Sequence, residues 1–232
     1  MVAVITGATQ GIGKAVAERF AQAGFDIFIT ARNNADLMIL KNDLETRFKV
    51  KVFIKTADFV KKSDVILFAE FVKSNTKSVD VLVNNVGQYM VGNLFENPSD
   101  KLLEQLNVNL MSAHYLTSAL MPVFQAQKRG HIFTLGSMLS VKLRESAANY
   151  TISKHALRTW HQLLFEYARE YNIKATMVMP SSTLTASWGE QPNADEFIQP
   201  EHIAETIFDC YNLSGAAVVD EISVKTISKK LE

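Results

Sequence analysis

The sequence predicts a doubly wound α/β fold, a parallel sheet with helices on both faces. Three observations predict it. Short apolar runs alternate with longer stretches of 3.6-residue period along the whole chain. The runs lack apolar/polar alternation, as strands buried on both faces do in parallel sheets. The first run leads straight into a glycine-rich turn and a helical pattern, the arrangement of a first crossover in such sheets.

In chain order, the strand runs are VAVIT (2–6), DIFIT (26–30), KVFIK (51–55), DVLVN (80–84), HIFTL (131–135) and KATMVM (174–179). A weaker run, AAVVDEISV, follows at 216–224. Helical periodicity occupies 12–23, 34–48, 61–77, 99–128, 149–171 and 201–212. No internal repeat, low-complexity segment or linker interrupts this alternation, so residues 1–232 read as one domain. The longest expected loop, 180–199, has the length of a functional lid, and a short substrate lid is expected at about 181–199.

Composition excludes several function classes. Lys+Arg and Asp+Glu both number 24, giving zero net charge, whereas binding to nucleic-acid phosphates favours a basic surface. No nucleic-acid partner is expected. One cysteine, Cys210, rules out an internal disulfide, and the five histidines have no zinc-site spacing, so no metal is expected. The N-terminal MVAVITG carries no charged leader, and its apolar run is too short to cross a bilayer. The expectation is a soluble cytoplasmic protein without a membrane partner.

The chemistry-bearing motifs follow the strands. After the first strand comes TGATQGIGKA, with Gly7, Gly11 and Gly13 at the mouth of the first helix. A dinucleotide pyrophosphate needs bare backbone N–H groups at such a helix N-terminus. The spacing is G-x-x-x-G-x-G, not the usual G-x-G-x-x-G, so context rather than pattern carries the nucleotide reading. The second strand ends at TARN, which places Arg32 where a 2′-phosphate would lie; an acidic residue there would take a 2′-hydroxyl. This favours NADP, with NAD as the alternative; a solvated arginine is the plain reading. The third strand leads to Asp58, which suits the adenine amine or an ordinary helix cap. The fourth ends in NNVG (84–87), a turn sequence that also lies where open α/β sheets bind ligands. The fifth places Ser137 at the equivalent point, and YTISK (150–154) follows. Random placement of 6 Tyr and 17 Lys gives about 0.4 Tyr-x-x-x-Lys pairs, so that pair proves nothing alone.

Together, in order, these motifs resemble the short-chain dehydrogenase/reductase family in its shorter single-domain branch, with a Rossmann-like fold. The resemblance covers essentially the whole chain. It rests on TGxxxGIG at 6–13, NNVG for the family's NNAG, Asn109 in a VNL context, Ser137, and the YxxxK pair Tyr150 and Lys154. It implies that Tyr150 is the general acid protonating a carbonyl oxygen as hydride arrives, and that Ser137 hydrogen-bonds that carbonyl. Lys154 would hold the nicotinamide ribose, and Asn109 would fix a water relaying protons to Lys154. Cofactor contacts are implied for Gly7, Thr9, Gly11, Ile12, Gly13, Arg32, Asp58, Asn85, Gly87, Tyr150, Lys154, Pro180, Thr183 and Thr185. Residues i and i+4 share a helix face. Lys154 is therefore expected to lower the Tyr150 pKa from its usual value of about 10. Two departures stand out. Ser181 replaces the glycine of the family's Pro-Gly, which sets the lid's entry geometry in question, and no Gly-Gly precedes the last strand.

The resulting expectation is an NADP-dependent oxidoreductase acting on a small carbonyl/alcohol pair. Two alternatives are a non-catalytic cofactor-binding regulatory module and an NAD-dependent 3-hydroxy acid or 3-oxoacyl reductase. The regulatory module predicts erosion of the catalytic set, which is intact. A methyltransferase-like nucleotide-binding enzyme would leave the Ser–Tyr–Lys set unexplained. Leu116, Leu120, Phe124, Leu157, Trp160 and Leu164 spread over more than one face of two long helices, which suggests a homodimer or homotetramer. Tyr89, Met90, Met138, Leu139, Leu143 and Trp188 suggest an apolar ketone or aldehyde substrate. Lys142 or Arg144, if turned inward, would instead anchor a carboxylate.

Overall fold

A computed structural model describes residues 1–95, 100–185 and 193–228. Its seven strands are β1 (Val2–Thr6), β2 (Asp26–Ala31), β3 (Val52–Thr56), β4 (Val81–Asn84), β5 (His131–Leu135), β6 (Lys174–Pro180) and β7 (Glu221–Val224). They form one sheet in the order β3-β2-β1-β4-β5-β6-β7, and every pairing is parallel. The helices are α1 (Gly11–Gln22), α2 (Asn34–Phe48), α3 (Lys62–Asn75), α4 (Asp100–Leu106), α5 (Ser112–Gln127), α6 (Ala148–Arg169) and α7 (Pro200–Asn212).

Side chains of successive strand residues point to opposite faces, and here both faces are covered. Ala3 and Ile5 of β1 join a core with Val16 and Phe20 of α1, Leu37 of α2 and Ile207 of α7. Val2 and Val4 join a second core with Phe68 of α3, Leu120 and Phe124 of α5 and Leu164 of α6. This two-sided burial is why the strand sequences are uninterrupted apolar runs. Strand order reverses between β1 and β4, and the cleft at that switch point lies beyond the carboxyl ends of the strands.

Three departures from the sequence expectation have physical causes. The single helix expected at 99–128 is broken by a π turn, Asn107–Met111, between α4 and α5. Such turns insert one residue and are frequent at functional sites. The last strand begins only at Glu221, because Gly215 (φ 58°) turns the chain and Ala216 and Ala217 are exposed. Of the residues expected to spread over outer helix faces, Leu116, Leu120, Phe124, Leu157 and Leu164 are buried inside this chain; Trp160 alone is half-buried.

Ser181 needs no glycine-like backbone, since it is absent from the residues with positive φ. Its N–H donates to Val224 O (2.8 Å), and its hydroxyl accepts from Thr226 N (2.9 Å). The segment after β7 also reaches Glu196. Thr226 Oγ1 donates to Glu196 O (2.6 Å), and Ser228 Oγ donates to Glu196 Oε2 (2.8 Å). Thr183 and Ile198 form a parallel bridge. Both feet of the expected lid are thus tied together and to the sheet edge; residues 186–192, including Trp188, lie outside the described residues. Arg158 of α6 clamps β7 through a bidentate pair with Glu221 (2.8–3.1 Å). Among the described residues, no helix is long and apolar enough to cross a membrane.

Candidate active site

β1 runs into a turn that only glycine can make. Gly7 (φ 64°) and Gly11 (φ 54°) occupy the left-handed region. A Cβ on Gly13 would lie 2.3 Å from Gly7 O, so α1 packs directly on the turn's backbone. Asn85, just beyond β4, locks this turn: its side-chain amide donates to Thr6 O (2.9 Å) and Gly7 O (3.1 Å). Thr6 Oγ1 accepts from Asn85 N (3.0 Å) and Val86 N (3.1 Å). Asn85 therefore shapes the turn through its amide. The N-terminus of α1 has no side-chain cap, and its first turn holds no acidic residue. Free N–H groups at the positive end of a helix, beside a bare glycine surface, fit a diphosphate.

The remaining predicted cofactor residues divide in two. Thr9 and Ile12 are half-buried in the turn, and the Thr185 methyl lies 3.1 Å from where a Cβ on Gly11 would be. Arg32 is exposed just past β2 and makes no ion pair among the described residues. Pro180 and Thr183 are buried, and Thr183 Oγ1 donates to Ser181 O (3.1 Å). Asp58 caps neither helix end. Its carboxylate accepts from Val60 N (3.3 Å) in the turn before α3, whose N-cap is Lys61.

The four predicted catalytic residues come from three neighbouring elements. Asn109 sits at the centre of the π turn, almost fully buried. Its Oδ1 accepts from Gln88 N (2.7 Å), while its Nδ2 donates to Gln88 O (3.1 Å), Gln105 Oε1 (3.1 Å) and Ser153 Oγ (2.9 Å). A Cβ on Gly87 would touch both Asn109 Oδ1 (3.2 Å) and Lys154 Nζ (3.4 Å), so the NNVG turn brings these groups to one point. Lys154 Nζ donates to Leu135 O (2.8 Å) at the end of β5. Ser137 caps a short 3-10 turn, Met138–Ser140, accepting from Leu139 N (3.1 Å), and it also hydrogen-bonds the Tyr150 hydroxyl. Tyr150 stands in the first turn of α6, and Ser153 Oγ donates to its carbonyl (2.7 Å).

The electrostatics correct one expectation. Burial pushes the Tyr150 phenol up to about 12; the Ser137 hydrogen bond acts against this, and the nearby Tyr89 adds to it. Lys154 does not lower it here, because its ammonium is directed at Leu135 O and lies 5.7 Å from the Tyr150 ring centroid. Burial brings Lys154 itself down to about 8.

The expected substrate lining is also redistributed. Leu139 is buried in the body, and Leu143 is 85% exposed. Lys142 and Arg144 are exposed as well. Met90 and Met138 are half-buried, and the Tyr89 ring packs against Tyr150. Gln105 and Ser153, which support Asn109, were not anticipated. The signal was a polar residue one turn before Asn109 among leucines and a serine three residues after Tyr150.

The short chain dehydrogenase family profile matches residues 1–196. The chain belongs to that family. Among short-chain dehydrogenase relatives, sepiapterin reductase of Chlorobaculum tepidum is 29% identical over 240 residues, covering 100% of this chain and 98% of that protein. The human inactive hydroxysteroid dehydrogenase-like protein 1 is 34% identical over 200 residues, covering 80% of this chain and 60% of that protein. Among solved structures, the alcohol dehydrogenase of Thermococcus sibiricus complexed with 5-hydroxy-NADP superposes with a TM-score of 0.91. It is 25% identical and covers 97% of this chain and 96% of its own. Family membership makes the protein an oxidoreductase of Rossmann-like fold.

Proposed function

We propose that the protein is an NADP-dependent reductase of small, mainly apolar ketones or aldehydes, with Tyr150 as general acid. The observation that carries this reading is the convergence of Ser137, Tyr150, Lys154 and Asn109 beyond the ends of β4 and β5. Bound at the glycine turn, the nicotinamide cofactor supplies the hydride. Arg32, exposed past β2 and without an ion pair among the described residues, favours a 2′-phosphate, and the Thermococcus sibiricus relative carries an NADP derivative. The glycine turn and the uncapped α1 would hold the diphosphate, and Lys154 the ribose.

The residues' own chemistry suits reduction. A phenol at about 12 keeps its proton at neutral pH and releases it only to a strong base, such as the oxygen of a carbonyl turning into an alkoxide. Ser137 hydrogen-bonds the same oxygen and holds it in reach of Tyr150. Lys154, at about 8, is charged at pH 7 yet exchanges protons near neutrality, which suits it to resupply Tyr150. Asn109 holds the Gly87–Gln88 backbone against Lys154. Met90 and Met138, half-buried and adaptable, support apolar substrates over sugars.

The test is a panel of carbonyl compounds with NADPH and NADH. Tyr150→Phe removes one hydroxyl, so cofactor binding should survive while turnover falls by ~10²–10⁴. A Tyr150→Phe variant that keeps most of its activity would overturn the assignment.

A further inference from the structure

We propose that Tyr89 is a specificity-determining residue that selects carbonyl compounds bearing a flat aryl or conjugated substituent. This rests on the carbonyl-reductase reading of the same site. Tyr89 directly follows Gln88, whose N–H and C=O are both held by the Asn109 amide (2.7 and 3.1 Å). Gly87, one residue earlier, is confined between Asn109 and Lys154. The ring of Tyr89 is therefore presented from a fixed stem.

That ring meets Tyr150 at 4.9 Å between centroids and 75° between planes. The two phenols are close enough for charge on one to oppose charge on the other. Yet Tyr89 remains 46% exposed, and its hydroxyl makes no hydrogen bond among the described residues. A large aromatic side chain on an anchored stem, beside the proton donor, thus leaves much of its surface uncovered.

A carbonyl oxygen that takes the Tyr150 proton must lie about 3 Å from the phenol oxygen. One substituent of that carbonyl then runs alongside Tyr89. A flat substituent gains an offset-stacked or edge-to-face contact there. Such pairs exceed simple area burial by a factor of about two to twelve in binding. A saturated ring of the same carbon count fills the same space without that gain.

The experiment compares acetophenone with cyclohexyl methyl ketone. Binding of each is measured calorimetrically to the NADP⁺-loaded protein, and kcat/KM is measured with NADPH. The expected result is a preference for acetophenone of about two- to twelvefold in the wild type. Tyr89→Phe should keep this ratio, and Tyr89→Leu should bring it near one with NADP⁺ affinity unchanged. No preference in the wild type, a preference that survives in Tyr89→Leu, or failure to bind either ketone at millimolar concentration overturns the inference. Selective binding without turnover would sink the reductase reading and leave the role of Tyr89 standing. Turnover without aryl preference would do the reverse.

Discussion

Lys154 is the costliest residue in the site when the cofactor is absent, and the cost can be measured. Its side chain is buried, the residue only 4% exposed, and burial lowers its pKa from 10.5 to about 8. Below pH 8 it is charged in both folded and unfolded chains, so folding must bury the ammonium. Between pH 8 and 10.5 the folded state sheds the proton while the unfolded state keeps it. Stability therefore rises with pH across that window, by about 1.4 kcal/mol per unit. Replacing Lys154 with Met removes the titration and preserves most of the volume. It also leaves Leu135 O without its donor, a penalty that does not depend on pH. The decisive quantity is thus the change with pH in the stability gap between the two proteins. From pH 7 to pH 10 the wild type should gain about 2.5 kcal/mol on Lys154→Met. Urea denaturation of both proteins without cofactor, at pH 7, 8.5 and 10, measures it, since effects of other groups cancel. A gap constant to within about 0.5 kcal/mol would refute the reasoning, since it would mean that folding leaves the Lys154 pKa unchanged.

Arg32→Asp should reverse cofactor preference. A charge-assisted contact with the 2′-phosphate contributes about 1.5–3 kcal/mol, or roughly ten- to hundredfold in kcat/KM, and equal use of NADPH and NADH by the wild type would sink the assignment. Acid should unfold the protein early, because burial holds His131 near 3 and His161 near 4. Both stay neutral when folded but charge when unfolded, so stability is full above about pH 6.5 and falls by about 1.4 kcal/mol per histidine per unit below it. Urea midpoints that do not move between pH 7 and 5 would contradict this. Leu163 and Tyr167, 68% and 45% exposed on α6, leave an apolar face that suits pairing with a second copy. Light scattering at micromolar concentration should give a multiple of the 25.9 kDa chain, and a single-chain particle would exclude assembly.

The strands were legible because burial on both faces removes every polar interruption from VAVIT, DVLVN and HIFTL. The glycine turn was legible because a positive φ at Gly7 and a 2.3 Å approach at Gly13 leave no other residue type for those positions. The π turn was not, since a one-residue insertion shifts the phase of the hydrophobic stripe by about 100° but leaves the 3.6-residue period intact in the helices on either side. Its one trace is Asn109, a buried amide in an apolar stretch. The Tyr150 pKa is not legible in the sequence for a different reason. Spacing in sequence sets which helix face Lys154 shares, but the carbonyl it binds, Leu135 O, belongs to a strand nineteen residues earlier. Burial, which raises the phenol, is a property of the assembled cleft. Ser181 likewise read as a loss of backbone freedom, while its partner Thr226 lies 45 residues away, out of reach of any local pattern.

The ties from Thr226 and Ser228 to Ser181 and Glu196 also fix an order of events during synthesis. Every residue of the Ser–Tyr–Lys–Asn group precedes β6 and leaves the ribosome first, so these groups can meet while the rest of the chain is still being made. The bonds from Thr226 to Ser181 and from Thr226 and Ser228 to Glu196 form only once those C-terminal residues have emerged. A nascent chain stalled near Gly215 therefore carries all four chemical groups but no β7 to brace the cleft wall.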